Sequence, residues 1–482
     1  MASKQFTLQL HGAMWSWAVL LSLFLQEGIA SYGPVYNQFN ETAQKLMQYV
    51  THGKGKGVAF NWLAELVDEF GHRHVGSESL EKAIDWTVDR LKKDGFDNVH
   101  TQSVPNLPHW RRGDDRVMLI EPRLHRLNIL TVDGSPPVDL TAEAIVVNSF
   151  EELKNHNITG KIVIFVEKWE GYGTTVRYRA ASRNEALRGA AGVLLKSVTP
   201  FSISSPHTGS GGRGAVIPSA CLTIEEAEML QRMYKRGKKL EIRMQIKSRE
   251  VGKCTSRNTI FDIKGSTYPD EIVLLSGHMD SWDVGQGAMD DGGGMAVAWN
   301  ALNIIKEMAK KDPRFAPKRY VSAPVLKTKC LRTLRVVFWT AEEQGMLGSQ
   351  AYFKETEKDS LKKFFFVSES DQGAFKPKND KSAFHFMGTR AQMKVLDEIV
   401  QIINDHNIPL SLVQSNDQGD VQFWSDKGVP SVNYVSDQGK DYYFYFHHTN
   451  GDYMTVFKDG DLDYVTAIFA ALAHVLGNID HW

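Results

Sequence analysis

Cysteine is scarce in this sequence: three residues in 482, Cys221, Cys254 and Cys330. One pair at most can form, so the chain is no disulfide scaffold and its stability must come from a hydrophobic core. No two cysteines stand in a CxxC spacing, which excludes a thiolate zinc site or a redox motif of that kind. Net charge is nearly absent as well. A formal balance of −1 gives no electrostatic reason to expect nucleic acid or an anionic membrane as partner. Beyond residue 30 no run is apolar and long enough to span a bilayer. Internal repeats, heptads and low-complexity tracts are missing too.

What is present is the composition of a globular protein, 42% hydrophobic and 23% charged, able to bury a sizeable core. The length predicts two or three domains. At the start, Lys4 and His11 precede the apolar run Met14 to Leu25, and Gly28-Ile29-Ala30 follows it with small residues where a signal peptidase cuts. Residues 1–30 thus read as a signal peptide, and the protein as secreted or delivered to the lumen of the secretory or lysosomal pathway, with no membrane span of its own. Asn40-Glu41-Thr42 and Asn157-Ile158-Thr159 are acceptor sequons usable there.

Three textures follow one another along the chain. From about residue 58 to 95 the pattern is helical, with Ser79 as a candidate cap for Leu80, Ile84, Val88 and Leu91 on one face. From about 115 to 250 short β-rich runs alternate with Gly- and Ser-rich turns, which reads as a small module of its own. Its loop Ser204–Gly214, with His207 inside, is rich enough in glycine to reach over a cleft as part of a lid. From 255 onward strands and helices alternate in the α/β manner. Glu271–Ser276, Leu334–Trp339 and Phe364–Val367 read as strands, and Leu396–Ile403 and Leu462–Leu476 as amphipathic helices.

Each of those three strands runs into candidate chemistry. After the first come His278, Asp280 and the Asp290-Asp291 pair inside Gly285–Gly294; after the second, Glu342-Glu343; after the third, Glu369 and Asp371. His447-His448 stands near the end. Strand carboxyl ends in an open α/β sheet line one crevice, so these groups are expected to converge. Imidazole with carboxylate and no thiolate suits zinc, manganese or cobalt. Five ligating side chains exceed one open tetrahedral site and suit two ions about 3.5–4 Å apart sharing a carboxylate. The aromatic run Tyr442–Phe446 reads either as a pocket wall or as a buried strand.

The stretch Ser276–Gly294, SGHMDSWDVGQGAMDDGGG, resembles the zinc-binding segment of the co-catalytic zinc exopeptidases, a family of aminopeptidases and glutamate carboxypeptidases. Pro108-His109-Trp110, Ser205–Gly209, Trp339–Gly345 and Phe446-His447-His448 match as well, so the likeness covers nearly all the chain after residue 30. It implies two zinc ions, with His278 and Asp371 on one, Glu343 and His448 on the other, and Asp290 bridging. His448 is chosen over His447 because the family's ligand is followed by Ser or Thr. Glu342 is implied as the catalytic base, and Asp280 as the carboxylate that accepts the free ring N–H of His278. A cis peptide bond is implied between Asp290 and Asp291. The family's fold is an α/β mixed-sheet exopeptidase domain (51–114 and 255–482) with a protease-associated-like domain inserted at 115–254. A propeptide, here about 31–50, and a homodimer are implied too. One departure is the stretch Tyr320–Arg332, which splits the connection between Pro317-Lys318-Arg319 and Thr333-Leu334-Arg335.

The function expected is therefore a secreted metallo-exopeptidase hydrolysing dipeptides or the ends of short peptides, as a carboxypeptidase or dipeptidase. Two alternatives share the fold: an aminopeptidase acting on longer peptides, and a non-catalytic ectodomain of the transferrin-receptor kind. The latter lacks the full ligand set, which is complete here.

Overall fold

The computed structural model describes residues 32–315, 332–357, 361–379 and 381–482. The expected signal peptide and most of Tyr320–Arg332, Cys330 included, lie outside them. Helix α1 (Pro34–Thr51) opens with proline in its first turn and buries Phe39, Ala43, Leu46, Met47 and Val50 at helical spacing. It takes up most of the segment expected to be a propeptide, and it packs as a core element. Helices α2 (Val58–Phe70) and α3 (Glu78–Lys93) follow. The cap of α3 is Ser77, whose hydroxyl accepts from the Leu80 N–H. Ser79, the expected cap, donates instead to the His72 carbonyl at 2.7 Å.

Strand β1 (Asp97–Arg111) leads out of this layer into an insertion. The insertion contains β2 (Arg116–Glu121), β3 (His125–Leu127), β4 (Ile129–Thr131), β5 (Val138–Val147), β6 (Ile162–Phe165), β7 (Gly192–Lys196), β8 (Ser219–Leu222), helix α4 (Ile224–Lys235) and β9 (Leu240–Ile246). These strands form one sheet in the order β3-β2-β9-β5-β6-β7-β8-β4, with separate apolar clusters around it. The change of texture near residue 115 is thus the start of a second sheet. Strand β10 (Arg249–Ile263) returns antiparallel beside β1.

The rest of the chain supplies β11 (Tyr268–His278), α5 (Gly293–Ala309), β12 (Arg332–Trp339), α6 (Leu347–Glu357), β13 (Phe364–Glu369), β14 (Ala383–Met387), α7 (Arg390–Asn404), β15 (Ser411–Gln414), β16 (Ser431–Val435) and α8 (Asp461–Asn478). Together with β1 and β10 they make a mixed sheet in the order β1-β10-β12-β11-β13-β16-β14-β15. Val273, Leu275, Val336 and Phe366 pack beneath its helices in the main core. The three central strands are parallel, with His278 opposite Trp339 and Ser276 opposite Glu369, so their carboxyl ends finish level. Helix α8 departs from the amphipathic expectation: it is buried on nearly every side, because α1, α5 and the sheet all pack against it. Among the described residues no helix is long and apolar enough to cross a membrane. Cys221 and Cys254 are both free thiols.

Candidate active site

The level strand ends bring the candidate groups into one crevice. His278 is the last residue of β11, and its ring is fully buried. Its Nδ1–H donates to a carbonyl 2.8 Å away, that of Asp280, which leaves the Nε2 lone pair facing Asp290 Oδ1 at 3.2 Å and Asp371 Oδ1 at 3.3 Å. Asp280 thus holds the ring through its backbone. Its carboxylate, expected to take that proton, stands 3.8 Å from Nδ1 and accepts instead from the backbone N–H groups of Glu342 (3.1 Å) and Glu343 (3.3 Å). The physical reason is the turn after β12: two amides there point inward and need a buried acceptor.

On the other side of Asp290, His448 Nε2 lies 3.3 Å from Oδ2 and 3.0 Å from Glu343 Oε2. His447 is buried beside it, with Nε2 3.6 Å from the same Oδ2. Ligand-capable atoms of His278, Asp290 and Asp371 lie within 4.8 Å of one another, as do those of Asp290, Glu343 and His448. Glu342, 17% exposed at its side chain, stands at the lip, 3.9 Å from His278 Nε2. The Asp290–Asp291 peptide is cis. Asp291 accepts from the backbone of His278 and Gly294. Gly294 must be glycine, since a Cβ there would run into the Ser370 carbonyl.

The electrostatics ask for a cation. Burial pushes Glu343 up to about 7 against the pull of His448. Burial also holds Glu342 well above the carboxylate range, opposed by His278 and reinforced by Asp371 and Asp420. Asp290 is the exception: burial raises it, but hydrogen bonds from His278 and His448 prevail and hold it well below its ordinary value. Asp290 Oδ2, Glu343 Oε1 and Asp371 Oδ1 are buried without hydrogen-bond partners. Carboxylate oxygens left over beside two oriented imidazoles are a donor set that fits a zinc-type cation.

A family model, "Peptidase family M28", matches residues 258–473. Carboxypeptidase Q of Homo sapiens is 38% identical over 466 residues, 95% of this chain and 91% of that protein. Carboxypeptidase Q of Bos taurus is 38% identical over 465 residues, again 95% of this chain and 91% of the relative. The chain belongs to peptidase family M28. As a member of that family it is a zinc-dependent metallo-exopeptidase. A solved M28 peptidase precursor from Shewanella amazonensis superposes with a TM-score of 0.80 at 29% identity, covering 92% of this chain and 98% of that one. The zinc aminopeptidase BSAP of Bacillus subtilis shares the fold, with a TM-score of 0.62 at 20% identity, covering 86% of this chain and 94% of its own.

Several residues that shape this M28 site carry no motif. Arg73, fully buried, donates to the carbonyls of Met279, Gln286 and Gly287 and so braces the loop before Asp290. Asp452 accepts from the N–H groups of Met289 and Asp290. The inserted module contributes Arg179, whose Nη1 lies 3.1 Å from His448 Nδ1 and donates to His207 Nε2 at 3.1 Å. It also contributes Tyr172, stacked on Phe444 and edge-on to His447. The aromatic run is no strand: Tyr442–Tyr445 is a 3-10 turn. The Ser204–Gly214 loop is a strap rather than a free flap. His207 is fully buried in it, and the Thr208 N–H donates to the His448 carbonyl at 2.9 Å.

Proposed function

We propose that this crevice holds two zinc ions and that the protein removes residues from the carboxyl end of dipeptides and short peptides. His278 and Asp371 would hold one ion, Glu343 and His448 the other, and Asp290 both. The observation that carries this reading is the sharing of Asp290 between two three-residue groups, its Oδ1 turned to His278 and its Oδ2 to His448. When bound, zinc of this kind acidifies a water to near neutral pH and polarises a carbonyl oxygen.

The chain's own residues do the rest. Glu342 is the general base: it accepts a proton from the attacking water and returns it to the leaving amine. Asp280, gripping the amides of Glu342 and Glu343, keeps base and ligand at fixed spacing. The inserted sheet, read as a protease-associated-like module at 115–254, walls one side of the cleft through Tyr172, Arg179 and the His207 strap, which favours short substrates over folded chains. Kinship to carboxypeptidase Q supports the carboxyl-end reading. The signal-type N-terminus and the two sequons support secretion of a glycoprotein. Elemental analysis of the purified protein tests the centre: two zinc ions per chain, together with hydrolysis of a dipeptide panel, are expected. One ion per chain, or mainly calcium, would overturn the two-metal reading.

A further inference from the structure

Between the inserted module and the turn that carries Glu342 and Glu343 lies a cavity of about 380 Å³. The 3-10 helix Val176–Arg183 forms one wall, the strap at Ser210 and Arg213 another, and Gln344 the base. Gln344 directly follows Glu343, so the cavity adjoins the reacting centre. Three features of it have no use in the chemistry above. Gln344 is only 7% exposed, yet neither atom of its amide has a hydrogen-bond partner, a state that costs free energy unless something else pairs with it. Arg183 reaches the cavity with no ion pair among the described residues, whereas Arg213 is already paired with Asp133 at 2.8 Å. Behind them Arg179, on the same helix, is buried. Its partners are His207, His448, the Tyr172 hydroxyl and backbone carbonyls, with no carboxylate in ion-pair reach among the described residues.

A buried or half-buried guanidinium group without a counter-ion is expensive, and an unpaired amide beside it adds a free donor. We infer that this cavity receives a carboxylate of the substrate's carboxyl-terminal residue, with Arg183 and the Gln344 amide as its direct partners and Arg179 and Arg213 supplying the field. A substrate ammonium group would meet like charge here, so the cavity faces the leaving, carboxyl-terminal side of the scissile bond. The carboxylate has two possible sources, the chain terminus itself or an acidic side chain on that residue. The inference rests on the peptidase reading of the adjoining crevice.

The test uses the zinc-loaded full chain and four substrates with one scissile bond type: Ala-Leu, Ala-Leu amide, Ala-Glu and Ala-Glu amide. Charge-assisted pairing predicts kcat/KM at least about tenfold higher for Ala-Leu than for its amide. Ala-Glu amide cleaved as well as Ala-Leu would assign the site to the side-chain carboxylate, and poor cleavage of both amides to the terminus. Arg183→Gln and Gln344→Ala should each raise KM for the free acids about tenfold with kcat little changed, while the amides respond weakly. Arg183 is exposed, so its variant should fold. Equal cleavage of acids and amides by the parent enzyme, with KM unmoved in Arg183→Gln, would overturn the carboxylate site and leave the peptidase reading standing. A zinc-replete chain that cleaves none of the four would overturn the peptidase reading itself.

Discussion

At the scale of single residues, two adjacent glutamates are given different tasks by small differences in direction. Glu343 points inward to His448, 3.0 Å away, while Glu342 stays at the lip and 3.9 Å from His278. Glu342→Gln should therefore cut turnover by about 10²–10⁴-fold, the usual share of a general base, and leave zinc content unchanged. Glu343→Ala should lose metal. Turnover and elemental analysis on the same preparations check both, and an empty site in Glu342→Gln would exchange the roles. Far from the crevice, burial lifts Glu167 to about 8. Its folded state holds the proton more tightly than the unfolded chain, whose carboxyl titrates near 4.5. Its contribution to stability is thus full below about 4.5 and is lost as pH rises through about 8. Parent melting temperature should fall across that window more steeply than in Glu167→Gln; parallel profiles would refute the assignment. The ligand candidates were legible in the sequence because each follows a strand end. Asp280 was legible as a partner of this cluster but not in its manner, since which of its oxygens meets the His278 ring depends on the turn after β12. Arg73, Asp452 and Arg179 were not legible, because what makes them matter is backbone and ring atoms brought from hundreds of residues away.

At the scale of elements, periodicity located the helices, but it could not say how many faces each would bury. The run Leu462–Leu476 reads as one apolar stripe, yet α8 is enclosed because α1 covers a second side. That enclosure gives α1 a structural duty. Leu46, Met47 and Val50 are fully buried, so Met47→Ala should cost about 2–5 kcal/mol, read from the urea midpoint. A cost near zero would mean that α1 is a detachable segment, as the propeptide expectation would have it. The Ser204–Gly214 strap is the other element whose character was hidden. A glycine-rich stretch looks like a mobile lid, but the same glycines permit a tight path against Arg179 and the His448 loop. Shortening it should lower zinc affinity about 10–100-fold, the usual effect of disturbing a group that orients a ligand, and dipeptide hydrolysis should fall with it. Full zinc occupancy in the shortened protein would return the loop to the role of a lid.

At the scale of the whole molecule, the division into two sheets was legible as a change of texture near residue 115, whereas the joint between them was not. That joint is made of single contacts between distant segments. Arg112 pairs with Asp283 and reaches Thr208, Trp169 Nε1 donates to Asp441, and Thr199 donates to the Phe444 carbonyl. Several of these end on the loop that carries His448, so a metal at His448 is held partly by the inserted module. Binding to the folded state alone stabilises it by mass action, about 4 kcal/mol at a thousandfold excess over Kd. Removing zinc with a chelator should therefore lower the melting temperature of the inserted module as well as that of the exopeptidase domain. Urea or thermal unfolding followed at once by Trp169-sensitive fluorescence and by far-ultraviolet dichroism should give coincident transitions, with and without metal, both shifted down by the chelator. A module transition that stayed in place while the main sheet melted earlier would show that the two sheets are energetically separate, and that the strap does not transmit metal binding between them.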